Sequence, residues 1–283
     1  MLYLSGWAND RGQVQLHVLG GKPDPVPVNI SNVAVHSNFY DIQLPDGSAS
    51  DMVESAMADV ESEISVALRE VRAGVWPLSK ENRDLLANFI ALQMARTPSV
   101  RNTMMRGFDD LIEKADLMRT SMHEMQEQDP ARYDRMVEAQ RKLSGPDDGS
   151  GIPASALPEL RERLALSAFE TSADLVEPVG MLNWTLLESD SIAFVTCDQP
   201  LVNWPLPNHP PFYGVGLFTA ERTTLPLSPT LCLELRTPIR LDDSGITGPQ
   251  PDAHRQVSRA EVVEINERTA RHAHVHIVLP GLP

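Results

Sequence analysis

The stretch MVESAMADVESEISVALREV, residues 52–71, decides the fold. Met52, Ala56, Val60, Ile64, Leu68 and Val71 recur in it at spacings of three and four, the stripe of a helix buried along one side. Gly74 and Pro77 supply its stop. A second helix opens after Ser79, which suits an N-cap, and Leu85, Leu86, Phe89, Ile90 and Leu92 carry it to Arg96. Pro98 forces a break there, because proline cannot donate a backbone hydrogen bond. Residues 100–143 are charged, methionine-rich and helical in pattern, with Asp129-Pro130 separating two helices. Gly145-Pro146-Asp147-Asp148-Gly149-Ser150-Gly151 marks a flexible loop near 144–153, and Ala156 to Leu175 predicts a further helix.

The flanks of this helical middle read as strand and turn. Gln13 to Val18 alternates polar and apolar residues with period two, and Gly20-Gly21 turns the chain towards a second strand around Val26 to Ile30. Asn38-Phe39-Tyr40 leads into a polar loop from Pro45 to Ser50. After Val179, Met181–Leu187 and Ile192–Cys197 predict two strands joined by the turn Glu188-Ser189-Asp190-Ser191. Thr230–Arg236 and Ala273–Leu279 predict two more, separated by a helix over Ser258–Arg271. The expectation is an α+β fold. Its helical middle, about residues 50–175, packs with a mostly antiparallel sheet from the N- and C-terminal regions, in one domain over residues 1–283.

Composition narrows the function classes. Hydrophobic residues make up 42% of the chain, enough for a sizeable core. The formal charge of -15 repels phosphate backbones and anionic lipid, so non-specific nucleic-acid binding is disfavoured and a small molecule or nucleotide is the expected partner. No apolar run approaches the ~20 residues of a membrane helix. The N-terminus lacks the basic and apolar regions of a signal peptide, so a cytoplasmic location is expected. Cys197 and Cys232 sit in apolar, strand-like runs and read as buried thiols rather than a disulfide framework. Glycine-rich phosphate loops, a Gly-x-Ser-x-Gly elbow, a His-Glu-x-x-His helix and a Cys-x-x-Cys pair are absent from the sequence.

Acids and an arginine stand where chemistry can be sought. Glu54 and Glu61 are seven residues apart, close to two helical turns, so they project from nearly one face. Their separation of ~10.5 Å along the axis suits two groups flanking a site, or a solvated acidic stripe. Arg96 can cap the end of its helix or grip a carboxylate or phosphate with its planar fork. Asp198, in Thr196-Cys197-Asp198-Gln199-Pro200, ends a strand, a position that suits a metal ligand or general base as well as a turn. His272, His274 and His276 alternate, which on a strand places them on one face, as in a zinc site or in an ordinary half-exposed strand.

Several short motifs occur together in order: Asn38-Phe39-Tyr40, Glu54 with Glu61, Phe89-Ile90 with Arg96-Thr97-Pro98, Trp184 with Asp198-Gln199-Pro200, and Pro226-Leu227-Ser228-Pro229. In this the chain resembles the bacterial "domain of unknown function 4238" family over nearly its whole length. The resemblance implies important positions rather than a reaction. Relatives carry a His-His-x-Val-Pro-like segment before the stretch resembling Leu2-Tyr3-Leu4-Ser5-Gly6-Trp7, whereas Met1 falls here where that segment should end. The expectation is therefore a start further upstream or a lost segment. Relatives also favour Ser-Asp-Asn-Pro where Cys197-Asp198-Gln199-Pro200 stands, and the acid is retained.

Two readings follow. In one, Glu54, Glu61 and Asp198 hold one or two divalent metal ions as cofactor and Arg96 steadies negative charge, giving a metal-dependent hydrolase of phosphodiesters or nucleotides, with a toxin or defence effector acting on nucleic acid or nucleotides as a separate alternative. In the other, the same four residues form a structural salt-bridge network in a non-enzymatic binding or regulatory protein.

Overall fold

A computed structural model describes residues 3–33, 42–43, 49–50, 52–95, 98–144, 172–210, 214–238, 240–242, 245–247 and 250–282. Side chains are described for these residues except at 42–43, 49–50, 52–61, 95, 98–105, 108, 140–141, 143–144, 240–242 and 245–247. The chain divides into two compact units, one formed by Met1–Pro98 with Glu170–Pro283 and the other by Ser99–Phe169.

The first unit carries the sheets. A short 3-10 turn, Tyr3–Gly6, leads into strand β1 (Gln13–Val18) and β2 (Val26–Asn29), which pair antiparallel in the register Gln13 with Asn29. Gly20 takes a positive φ of 74° in the turn between them, a conformation that costs glycine nothing. The period-two reading holds, since Val14 and Leu16 are buried while Gln13 and Gln15 are half-exposed. Two-residue strands β3 (Ile42–Gln43) and β4 (Ala49–Ser50) pair with each other.

Helices α1 (Met52–Arg72) and α2 (Lys80–Ala95) follow, joined by a short connection in which Gly74 has φ 86°. Ile64, Leu68 and Val71 of the predicted stripe are fully buried, together with Ala67; the side chains of Met52, Ala56 and Val60 lie outside the described residues. In α2, Leu86, Ala87, Phe89, Ile90, Ala91 and Leu92 are all buried, so its later half is enclosed on more than one face. Ser79 Oγ accepts from Asn82 N at 3.2 Å, as its N-cap position predicts.

The rest of this unit starts with α5, residues 172–180, of which 172–175 fall in the predicted helix and 156–171 lie outside the described residues. Strands β5 (Asn183–Glu188), β7 (Val202–Trp204), β8 (Arg222–Pro226), β9 (Leu231–Arg236) and β12 (Ala253–Gln256) form a five-stranded sheet in the order β12-β5-β9-β8-β7. Among the described residues of this sheet, β12 against β5 is parallel and the other pairings are antiparallel. Strand β6 (Thr196–Cys197) instead joins β2, β1 and β13 (His276–Leu279) in a four-stranded sheet of order β2-β1-β13-β6. Strands β10 (Arg240–Asp242) and β11 (Gly245–Thr247) pair separately. Helix α6 (Arg259–His272) has Ser258 as its N-cap, with Ser258 Oγ accepting from Glu261 N.

Two corrections concern this half. The segments around Glu188–Ser191 do not pair as a hairpin: β5 belongs to the five-stranded sheet and β6 to the other. The intervening backbone is held by a side chain, since Asn266 on α6 donates to Ala193 O at 2.8 Å and accepts from Val195 N at 3.0 Å. That satisfies groups a strand partner would otherwise take. The last strand starts at His276 rather than Ala273, for a reason that lies with Asp198.

Among the described residues, apolar clusters pack on both larger sheets. Trp7, Val14, Leu16, Val33 and Val278 pack against the four-stranded sheet. Leu187, Phe194, Trp204, Cys232, Val257, Val262 and Ile265 pack between the five-stranded sheet and α6. The second unit contains helix α3 (Pro98–Gln128) from Ser99 onward, and α4 (Pro130–Ser144). The break at Asp129-Pro130 is as predicted: Asp129 Oδ1 accepts from Arg132 N at 2.9 Å, with proline in the first helical position. The loop predicted near 144–153 lies outside the described residues beyond Ser144. The fold is α+β with mostly antiparallel sheets, and among the described residues no helix is long and apolar enough to cross a membrane.

Candidate functional site

The N-terminal turn is the meeting point of segments far apart in sequence. Tyr3 Oη lies 2.7 Å from Thr196 Oγ1 and donates to Pro226 O at 2.5 Å. Its ring packs against Trp7 and Phe89, with centroids 5.2 and 5.5 Å away. Burial pushes the Tyr3 phenol well above its ordinary range, so it is a neutral structural hydroxyl. Trp7 Nε1 donates to Phe194 O at 2.9 Å. Arg72, in the last turn of α1, donates from Nε to Leu227 O at 2.9 Å, from Nη2 to Tyr3 O at 2.7 Å and from Nη1 to Ser5 Oγ at 3.1 Å. The Phe89, Thr196–Pro200 and Pro226–Pro229 motifs are therefore brought to one place by the turn before Trp7.

Asp198 follows β6 directly. Its Oδ1 accepts from His274 N at 2.9 Å, and its Oδ2 accepts from Val275 N at 2.7 Å and His276 N at 3.3 Å. Asp198 N in turn donates to His276 O at 3.2 Å. The carboxylate thus gathers three successive backbone N–H groups between α6 and β13. This holds residues 273–275 out of the strand and accounts for its late start. It also separates the three histidines, since His272 ends α6, His274 lies in the link and only His276 is on β13. Burial lowers the His272 pKa, with Asp198 opposing that effect and Arg268 adding to it. Among the described residues, no group of three His, Cys, Asp or Glu side chains is arranged to hold a metal ion.

Glu54 and Glu61 lie on the first half of α1, and their side chains are outside the described residues, as is all of Arg96. Asn82 Nδ2 donates to Glu70 Oε2, tying α1 to α2 close to their connection.

A charged cluster among the described residues was not visible from spacing. Arg222 on β8 contacts Glu234 at 3.2 Å, Glu261 at 3.6 Å and Glu264 at 3.5 Å. Arg236 contacts Glu234 at 2.9 Å, and Arg255 meets Glu261 through two bonds of 3.0 and 2.7 Å. The guanidinium of Arg222 also stacks on Trp204 at 3.9 Å. Burial works against the charge of Glu234, but Arg236 and Arg222 overcome it and hold its pKa low. Arg83 similarly clips α2 to β5 and the approach to β12, stacking on Trp184 at 4.1 Å, donating to Leu182 O at 2.8 Å and pairing with Asp252. Both thiols are buried and free, as expected; burial pushes Cys197 up to about 12 and Cys232 higher still.

Neither the curated proteins nor the solved structures contain a match to this chain. A family does match, and it covers residues 1–279, the span over which the Tyr3, Phe89, Asp198 and Pro226 segments converge. The chain belongs to the family described as "Protein of unknown function (DUF4238)".

Proposed function

We propose that this protein is a metal-dependent hydrolase of phosphodiester or nucleotide substrates, with Glu54, Glu61, Arg96 and Asp198 as its site. The observation that supports this reading is that Glu54 and Glu61 stand on one helix, α1, which packs with α2. Arg96 directly follows α2 in sequence, so the reading groups two carboxylates with one guanidinium. Glu54 and Glu61 flank the site and, with Asp198 as the third carboxylate of the set, hold one or two divalent cations. The cation supplies a bound water of lowered pKa and a positive charge for phosphoryl oxygens. Arg96 stabilises the negative charge that develops on them.

The test is hydrolysis of bis(p-nitrophenyl) phosphate and of nucleotides by the purified chain, with and without Mn(II). The expected result is metal-stimulated turnover that Glu54→Gln abolishes and Arg96→Ala lowers on the order of 100-fold. Absence of metal-stimulated turnover on every such substrate would overturn the reading.

One observation favours a second reading, that of a non-enzymatic binding protein. Both Asp198 oxygens already serve backbone N–H groups, which is the work of a structural anchor. On that reading Asp198→Asn lowers the melting temperature and leaves any ligand affinity unchanged.

A further inference from the structure

We draw no further inference here: the strongest candidate, the exposed apolar patch of Leu111, Leu117 and Met118 on helix α3 beside Glu113 and Asp116, is a helix face for which nothing among the described residues shows what covers it.

Discussion

Gly6 and Arg72 lie face to face, and the absence of a side chain on one allows the other its pose. A methyl at Gly6 would meet the guanidinium at 2.7–2.9 Å, so Arg72 would have to move away from Leu227 O and Tyr3 O. Gly6→Ala should therefore destabilise by about 1–3 kcal/mol, read as a lowered urea midpoint at unchanged slope. Asp198→Asn removes the charge that attracts three backbone N–H groups and replaces one oxygen by a donor. A loss of about 1.5–3 kcal/mol is expected in the same measurement. The cysteines give a pH signature. Each thiol keeps its proton in the folded state to a higher pH than the ordinary 9.0, Cys197 to about 12. Their contribution to stability is therefore complete below pH 9 and is lost as pH rises from there towards 12. Thermal melts should decline over that window, and Ellman's reagent at pH 8 should label only denatured protein. Residue roles of this kind were largely hidden in the sequence, because the partners are remote: Arg72 and Leu227 are 155 positions apart.

Helices proved the most legible elements. The stripe ending in Ile64, Leu68 and Val71, the Ser79 and Ser258 caps and the Asp129-Pro130 break are all local patterns, and local physics decides them. Strands depend on remote pairing and were read less well. The turn at Glu188–Ser191 looks like a hairpin turn, yet the chain changes sheets there, because Asn266 on α6 takes the backbone groups of Ala193 and Val195. Asn266→Ala leaves those groups unsatisfied and should cost about 1–3 kcal/mol, with hydrogen exchange rising first at Val195. Asp198 was legible as a notable acid at a strand end. Its role in delaying β13 to His276 was not, since its partners lie 76 to 78 residues away.

For the whole molecule, the order of short motifs along the chain carried more than any single one. The family matches residues 1–279, and the α+β architecture is the one expected. Motifs far apart in sequence converge on the first turn: Tyr3 touches Phe89, Thr196 and Pro226 at once. The side chains of the acids of α1 lie outside the described residues, and the proposed function rests on them. The most direct measurement is Mn(II) calorimetry combined with scanning calorimetry, on the natural chain and on Glu61→Gln. Saturable Mn(II) binding that Glu61→Gln abolishes is expected, with a melting temperature unchanged or raised. A strong fall in melting temperature on Glu61→Gln, with no Mn(II) binding by the natural chain, would contradict it.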